Sequence, residues 1–220
     1  MTTSVMTRPM NVSMNLPVIH AGDVVKRVFD IVMALGALTM LAPLFALVAT
    51  FIWATDFGSP LFSQTRVGKD GREFKFYKFR SMVKNADALK AAMLKKNQHG
   101  DDRTFKMKLD PRITRIGAFI RRTSIDELPQ LWNIVIGDMS IVGPRPAVPS
   151  EVALYTASDR RRFGAMPGLT CIWQVSGRSE IAFPQQVELD VEYIKTRSFF
   201  LDLSLIARTF PAVLSARGAY

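Results

Sequence analysis

The sequence predicts an α+β fold that is mostly helical, in a small membrane-associated domain with an N-terminal Pro-bent re-entrant membrane helix and a β-hairpin. Three observations predict this fold: an uncharged apolar run between Asp30 and Asp56, alternating residues around a glycine-bounded turn at 68–71, and apolar residues at helical spacing in much of the remaining chain. The 220 residues suit one domain with a real core. We divide the chain into a flexible polar tail (1–24), a hydrophobic membrane segment (25–57) and a domain on the cytoplasmic face (58–220).

The composition favours anionic partners. The formal net charge is +10 and the sequence pI is near 10.0, which suits nucleic acid, anionic lipid headgroups or phosphorylated substrates, although a generally basic soluble surface is an equal alternative. The single cysteine, Cys171, excludes an intrachain disulfide and fits a reducing compartment. His20 and His99 are the two histidines, which leaves little for a zinc site or a histidine-based triad.

The apolar run between Asp30 and Asp56 is long enough to cross a bilayer. At about 1.5 Å per residue, it would span a hydrocarbon core of ~30 Å, so a buried soluble helix is the weaker alternative. Pro43 lies at the centre of the run and would bend a helix there. Basic residues flank the run on both sides, and the positive-inside bias would keep both flanks in the cytoplasm. We therefore expect a re-entrant helix bent at Pro43, with a single span as the alternative.

The next segment alternates on both sides of the turn at 68–71, which predicts a β-hairpin over 61–80. Its polar face carries Arg66, Lys78 and Arg80. These cations either form an ordinary solvated face or bind phosphate, and the pattern favours neither. Helical spacing further predicts helices at 81–93, 113–122, 128–136 and 187–194, a loop at 97–111, and an interfacial or packed helix at 199–214.

Two adjacent acids, Asp126 and Glu127, stand at the predicted start of the helix at 128–136. The pattern Ser124-x-x-Glu127 is typical of a capping box, and acids in a first turn suit the helix dipole, so capping is the favoured interpretation from pattern alone. The functional alternative is chemistry on phosphate. One or two carboxylates can hold Mg²⁺ together with substrate phosphates, without histidine, and a carboxylate can form a covalent acyl phosphate.

Arg145 lies between Pro144 and Pro146. Each proline restricts its own backbone and that of the preceding residue, so the arginine is held stiffly. A guanidinium held in this way can bind a phosphate bidentately. The alternative is a rigid loop with a solvated arginine.

An ordered set of motifs resembles the bacterial sugar transferase family, the monotopic polyprenyl-phosphate phosphoglycosyl transferases. The matching motifs are Lys26-Arg27-x-Phe29-Asp30, Gln64-x-Arg66-x-Gly68, Lys78-Phe79-Arg80-Ser81-Met82, Ser124-x-Asp126-Glu127-Leu128-Pro129-Gln130, Asp138-Met139-Ser140-x-Val142-Gly143-Pro144-Arg145-Pro146, Pro167-Gly168 and Gln174-Val175-Ser176-Gly177-Arg178. Each motif is weak alone, but the ordered set is specific. The closing Pro211-x-x-x-x-Ser215-x-x-Gly218-x-Tyr220 is similar to the subgroup that primes exopolysaccharide synthesis with undecaprenyl-phosphate galactose phosphotransferase activity.

The resemblance implies a covalent two-step reaction. Asp126 would attack the β-phosphorus of a UDP-hexose, with galactose or glucose favoured, and UMP would leave. Undecaprenyl phosphate would then take the sugar phosphate from the aspartate. Glu127 would hold Mg²⁺, and Arg145 would bind phosphate near the uridine. Cys171 and Ser179 depart from residues that are frequent in the family, glycine and asparagine respectively, which puts the sugar and loop details in doubt.

The resemblance also implies a place and partners. The protein is expected in the bacterial inner membrane with its site on the cytoplasmic face, in contact with anionic membrane lipids and without nucleic acid, while a homodimer stays open. Two other functions remain as alternatives: a membrane glycosyltransferase that acts without a covalent intermediate and releases UDP, and a basic membrane-bound adaptor without enzymatic activity. The chain contains neither Gly-x-Gly-x-x-Gly nor a Walker A motif, which weakens nucleotide-fold alternatives.

Overall fold

The computed structural model describes residues 21–86, 88–89 and 110–215, and these residues are mostly helical. The helices are α1 (Ala21–Met40), α2 (Ala42–Asp56), α3 (Arg115–Arg122), α4 (Gln130–Ile136), α5 (Pro149–Val152), α6 (Ile172–Ser176), α7 (Phe183–Thr196) and α8 (Phe199–Ser215). The strands are β1 (Leu61–Val67), β2 (Glu73–Phe79), β3 (Ser140–Val142) and β4 (Gly168–Thr170). Short 3₁₀ helices lie at Lys69–Gly71, Ile125–Glu127, Asp159–Gly164 and Arg178–Glu180. The predicted α+β class with mainly helical content is confirmed.

The apolar segment forms two helices, α1 and α2, that meet at Leu41 with a bend of 61° between them. Among the described residues, no helix by itself has the length and apolar composition to cross a membrane, whereas this bent pair has both when taken together. Pro43 lies in the first turn of α2, where the amide that proline lacks would have no helical acceptor. The bend is therefore where the sequence predicts it, and insertion of the pair into a membrane stays a prediction.

Both arms of the bent pair rest on the same strand of the hairpin. Ala34 of α1 is fully buried in a cluster with Phe76, and Ile52 of α2 is buried in a cluster with Phe79 and Ile120. Because Phe76 and Phe79 both belong to β2, the hairpin contributes to the packing of both arms. Other large apolar side chains of the pair are exposed: Val24, Val25, Val28, Val32, Met33, Leu35, Met40, Leu47, Phe51 and Trp53.

Polar contacts attach the beginning of α1 to the rest of the domain. The Lys26 ammonium donates to the Asp202 carboxylate of α8 at 2.6 Å. The Asp30 carboxylate accepts from the Ser140 hydroxyl at 2.7 Å and from the Ile141 amide at 3.2 Å, at the start of β3. The beginning of the apolar helix is therefore held by buried and partly buried hydrogen bonds as well as by packing.

The predicted hairpin is confirmed. Strands β1 and β2 are antiparallel, with Leu61 opposite Phe79 and Val67 opposite Glu73. The turn between them is the 3₁₀ helix Lys69–Gly71, where Asp70 and Gly71 have φ of 56° and 79°. Glycine and aspartate tolerate this left-handed conformation, which explains the turn signal in the sequence.

A second, parallel pair of strands lies beside the Pro-Arg-Pro segment. Ser140 of β3 pairs with Gly168 of β4. The backbones of Gly143 and Gly168 touch, since a Cβ placed on Gly168 would lie 2.1 Å from the Gly143 amide nitrogen. The close approach therefore requires glycine at both positions. It also sets the direction in which residues 144–146 continue after β3.

The structure also answers the remaining sequence predictions. The helices predicted at 113–122 and 187–194 are α3 and α7, and α4 ends at Gly137 as expected. Helix α8 is partly packed: Leu205 is buried, whereas Phe210 and Leu214 are 68% and 85% exposed. The helix predicted at 81–93 is wrong for its first residues: 81–85 are not helical, because Met82 forms an antiparallel β-bridge with Ile113, whereas residues 86, 88 and 89 are helical. The other residues of that prediction, most of the loop at 97–111 and residues 1–20 of the predicted tail lie outside the described residues.

Candidate active site

The acidic pair lies in the one-turn 3₁₀ helix Ile125–Glu127, ahead of α4. Ser124 precedes it with a left-handed φ of 55°, and its side chain makes no capping hydrogen bond. Instead, the Ser124 hydroxyl accepts from Arg178 Nη2 at 3.3 Å. The predicted capping box is therefore wrong, because α4 begins only at Gln130 and the acids interact with other parts of the chain.

Asp126 is a buried carboxylate with 7% of its surface exposed. Burial raises the pKa of Asp126 to about 6, and the negative charge of Glu127 adds to this shift. The positive charges of Lys78, Arg121 and Arg145 oppose it. Asp126 is thus poised to ionise just below neutral pH, which suits a nucleophile or a base.

Glu127 is paired with the arginine of the Pro-Arg-Pro segment. Arg145 Nη2 donates to Glu127 Oε1. Burial alone would raise the pKa of Glu127, but the charge and the hydrogen bond of Arg145 outweigh it and hold this pKa below the ordinary value. Burial likewise opposes the charge of Arg145, and Glu127 outweighs it and raises the pKa of Arg145. Both groups are therefore ionised at neutral pH.

Two cations of the hairpin share the site. Burial lowers the pKa of Lys78 to about 8, with a further contribution from the charge of Arg66. Burial also lowers the pKa of Arg66 to about 10, helped by the charge of Arg145. Arg66 Nη1 donates to the Pro146 carbonyl at 3.1 Å. These crowded cations repel one another, so an anionic ligand would be stabilised among them.

These groups line one cavity of about 690 Å³, a volume in the range of small-molecule sites. Its polar lining includes Arg66, Lys78, Arg121, Asp126, Glu127, Arg145, Glu151, Arg162, Gln174, Arg178, Ser179 and Gln186. Its apolar lining includes Phe76, Leu128, Ile141, Pro146, Leu169, Ile206, Phe210, Val213 and Leu214. A ligand with a phosphate group and an apolar part therefore finds both kinds of surface in the same cavity.

Three of the residues named in the sequence analysis do not line this cavity. Arg80 pairs with Asp56 at the end of α2 and does not line the cavity. Pro144 borders a small neighbouring cavity, while Pro146 lines the large one. Pro43 lies at the helix bend. The structure thus brings together Asp126, Glu127, Arg66, Lys78, Arg145 and Pro146 from the predicted set.

Sequence reasoning missed four further arginines of the cavity: Arg112, Arg121, Arg162 and Arg178. Arg178 follows Gly177 in a quoted motif, which could have marked it. Arg121 lies in the last turn of α3, where a basic residue is ordinary. Arg162 closes a run of three arginines, of which Arg160 and Arg161 are exposed, so the pattern gives no sign of which one is buried.

A comparison with known families identifies the family of the chain. The profile of the family described as bacterial sugar transferase matches residues 21–216 of the chain. The chain belongs to the bacterial sugar transferase family. The predicted family and the predicted transferase class are both confirmed.

Individual relatives are similar over most of this sugar transferase. It is 44% identical over 204 residues to the UDP-galactose-lipid carrier transferase of Erwinia amylovora, covering 91% of this chain and 43% of that protein. It is 41% identical over 202 residues to the exopolysaccharide production protein ExoY of Sinorhizobium fredii, covering 90% and 89%. It is 40% identical over 201 residues to the undecaprenyl-phosphate galactose phosphotransferase of Salmonella typhimurium, covering 89% and 41%. The chain therefore spans less than half of the Erwinia and Salmonella proteins and most of ExoY.

The two departures from the family pattern differ in position. Cys171 is fully buried, and its thiol donates to Gln174 Oε1 at 3.1 Å; it does not line the cavity. Ser179 does line the cavity. Of the two, Ser179 is therefore the residue that a substrate of this sugar transferase could touch.

The donor set of the site suits Mg²⁺ only in combination with a phosphate. Within the described ranges, no group of three or more histidine, cysteine, aspartate or glutamate side chains is placed to hold a metal ion. The two adjacent carboxylates of Asp126 and Glu127 match the one or two that Mg²⁺ takes when substrate phosphates supply further oxygen ligands. The residues present therefore fit the predicted ion.

Proposed function

We propose that this sugar transferase moves a hexose 1-phosphate from a UDP-hexose to undecaprenyl phosphate through a covalent aspartyl intermediate, with release of UMP, as the priming step of exopolysaccharide synthesis. The names of the relatives support the substrates: one is a UDP-galactose-lipid carrier transferase, one an exopolysaccharide production protein and one an undecaprenyl-phosphate galactose phosphotransferase. Galactose is the first sugar to test, followed by glucose.

The observation that carries this proposal is a buried carboxylate, Asp126, in a cavity lined by several cations. A carboxylate that has lost its water is a stronger nucleophile, and its pKa of about 6 leaves it mostly ionised at neutral pH. Arg66, Lys78 and Arg145 line the same cavity. They can neutralise the phosphate oxygens that the nucleophile must approach.

In the first half-reaction, an oxygen of Asp126 bonds to the β-phosphorus of the UDP-hexose. The bond from that phosphorus to the oxygen that bridges to the α-phosphorus breaks, and UMP leaves with the electron pair. Asp126 then carries the hexose 1-phosphate as an acyl phosphate. Arg145 binds donor phosphate in this step, so it exchanges its contact with Glu127 for the ligand.

In the second half-reaction, a phosphate oxygen of undecaprenyl phosphate bonds to the same phosphorus. The bond between that phosphorus and Asp126 breaks, the carboxylate is restored, and the product is a diphosphate-linked hexose. The two substrates are both anionic, and a covalent intermediate lets UMP leave before the second anion binds. Glu127 would hold Mg²⁺, which when bound neutralises charge on the phosphate oxygens.

We further propose that the bent pair α1 and α2 places this site at the inner face of the bacterial membrane. The exposed large apolar residues of both arms support this placement, since exposed apolar surface on a helix pair is typical of contact with lipid or protein. The lipid acceptor requires a site at headgroup depth, where the basic surface of the domain would meet anionic lipids.

The decisive experiment supplies the protein in lipid nanodiscs with a panel of UDP-hexoses, undecaprenyl phosphate and Mg²⁺. We expect UMP, and not UDP, as the nucleotide product. Without the acceptor, a donor labelled in the sugar should leave one labelled hexose phosphate on the protein, and this label should be absent in Asp126→Asn. Glu188→Gln, an exposed acid of α7 outside the cavity, is the matched control and should keep both activities.

The same assay separates the alternatives. Release of UDP would identify a glycosyltransferase without covalent chemistry. Full turnover by Asp126→Asn would remove the proposed nucleophile. Membrane binding without turnover of any UDP-hexose would favour the adaptor.

A further inference from the structure

The Pro-Arg-Pro segment is held through its carbonyl groups. Pro144 and Pro146 have no amide hydrogen, so this stretch can donate little to its surroundings. Four consecutive carbonyls instead accept hydrogen bonds. The pairs are Pro144 O with Gly168 N at 2.9 Å, Arg145 O with Arg162 Nη2 at 3.2 Å, Pro146 O with Arg66 Nη1 at 3.1 Å, and Ala147 O with Val67 N at 2.8 Å. The donor to the Arg145 carbonyl is thus the side chain of another arginine.

Arg162 is built into the interior. It is 4% exposed, and its Nη2 also contacts the Asp190 carboxylate at 2.6 Å. Its Nη1 donates to the Tyr155 hydroxyl at 3.1 Å, and its guanidinium carbon lies 5.8 Å from the centre of the Phe183 ring. The planar group is therefore fixed from several sides, and one nitrogen is shared between Asp190 and the Arg145 carbonyl.

We propose that Arg162, oriented by Asp190, is a positioning residue for donor binding: it fixes the backbone of Arg145 so that the Arg145 guanidinium meets a phosphate of the nucleotide donor. This inference rests on the proposed function for the identity of that phosphate. Arg162 acts through the Arg145 carbonyl and takes no part in bond making.

A purely structural role explains the arrangement less well. Burying an ion pair costs desolvation, and an apolar pair of similar volume is often equally stable. The feature that an apolar pair could not supply is a rigid donor to the Arg145 carbonyl. Lysine could keep the charge and the contact with Asp190, but it lacks the planar fork that reaches Asp190, Tyr155 and the carbonyl together.

The test is Arg162→Lys in the full chain in nanodiscs, with Arg161→Lys as the matched control. Arg161 lies in the same 3₁₀ helix, is exposed and bonds only to Ser158 among the contacts described. In a two-step reaction with a covalent intermediate, kcat/KM for each substrate reports its own half-reaction. We expect kcat/KM for UDP-hexose to fall about tenfold or more in Arg162→Lys, kcat/KM for undecaprenyl phosphate to change less than about twofold, and Arg161→Lys to match the unmodified protein.

An equal fall in both kcat/KM values would indicate a smaller folded fraction and overturn the proposal, as would no fall in either. If Arg162→Lys does not fold, Tyr155→Phe removes one contact that orients Arg162 while keeping the ring. It should lower kcat/KM for the donor about threefold and leave that for the acceptor unchanged; equal changes, or none, would overturn the proposal.

The affinity for UDP, measured by calorimetry without acceptor, separates this inference from the proposed function. If the unmodified protein binds UDP but releases no UMP from any UDP-hexose, the proposed reaction fails. The inference is then supported by weaker UDP binding in Arg162→Lys than in Arg161→Lys and overturned by equal binding. A protein that neither binds UDP nor releases UMP from any UDP-hexose would overturn both.

Discussion

The Arg145 guanidinium is hydrogen bonded to the Glu127 carboxylate, 18 positions earlier in the chain. In the proposed mechanism Arg145 binds donor phosphate and Glu127 holds Mg²⁺. In the ligand-free protein the two side chains bind each other instead. Both groups are partly buried, so each charge would be costly to leave unpaired, and the ion pair compensates both. The donor phosphate and Mg²⁺ together can replace this ion pair with two new ones.

The first prediction concerns Arg145 and Mg²⁺ as competing partners of the Glu127 carboxylate. In Arg145→Gln the carboxylate loses its cation, so Mg²⁺ binding by the ligand-free protein should tighten about tenfold, while UDP binding should weaken by about tenfold or more. Calorimetric titration in nanodiscs at pH 8 measures both. Arg161→Gln, an exposed arginine, should change neither affinity. Unchanged Mg²⁺ binding in Arg145→Gln would show that Glu127 and Arg145 do not compete with the metal.

The pH dependence of donor turnover gives the second prediction. Asp126 must be ionised to attack, and its pKa is about 6, so kcat/KM for UDP-hexose should rise as the pH increases through about 6. Lys78 has a pKa of about 8, so the charge that it offers to phosphate is lost as the pH rises through about 8. The profile should therefore be bell-shaped between these values.

Lys78→Arg assigns the upper limb of that profile. Arginine stays protonated throughout the accessible range, so the fall near pH 8 should disappear while the rise near pH 6 remains. Initial rates of UMP release at low donor concentration provide the measurement. An upper limb that stays in place in Lys78→Arg would mean that another group titrates there.

The stability of the folded protein gives the third prediction. The carboxyl of Asp126 has an ordinary pKa of 3.8 in the unfolded chain and about 6 in the folded protein. Between these values the folded state binds more protons than the unfolded state, so its free energy of unfolding falls as the pH rises through that window. Above pH 6 the free energy of unfolding is lowered by the full cost of keeping the buried Asp126 carboxylate ionised, on the order of 2 to 3 kcal/mol.

Asp126→Asn removes this penalty because the amide does not ionise. Its midpoint of thermal unfolding at pH 7.5 should exceed that of the unmodified protein, and the difference should vanish below about pH 4. Glu188→Gln, at an exposed position on α7, should show no such gain. A less stable Asp126→Asn at pH 7.5 would show that the ionised carboxylate stabilises the fold.

Local sequence signals correctly predicted the bends, turns and helix ends whose backbone conformation depends on a single residue. Pro43 marked the bend, the glycines around residue 70 marked the hairpin turn, and Gly137 marked the end of α4. In each case the backbone conformation depends on the residue itself, through a missing amide or a left-handed φ.

The wrong predictions concern side-chain partners that come from distant parts of the chain. The capping box failed because Ser124 has a left-handed backbone and its hydroxyl accepts from Arg178, 54 positions away. Arg80 follows β2 only two residues after Lys78, yet it pairs with Asp56 of α2 outside the cavity. Which cation meets the acidic pair therefore depends on tertiary packing, which one sequence does not reveal.

The contacts of the bent pair with one domain give the last prediction. At the beginning of α1, Lys26 donates to Asp202 of α8 at 2.6 Å. At the end of α2, Asp56 pairs with Arg80, which follows β2. Both ends of the apolar segment thus touch the same folded domain, and a hydrocarbon core of ~30 Å cannot lie between them. A single span would have to break one of these contacts.

Reporters fused to the two ends of the chain test this topology in cells. Green fluorescent protein should fluoresce at both ends, and alkaline phosphatase, which folds only outside the cytoplasm, should be inactive at both. A helix of known single-span orientation fused to the same reporters provides the control. Active phosphatase at the N-terminal end with fluorescence at the C-terminal end would establish a single span, and the contact between Lys26 and Asp202 could not then exist in the membrane. Two cytoplasmic ends would instead place the cavity, whose walls include α8, on the side where nucleotide donors are found.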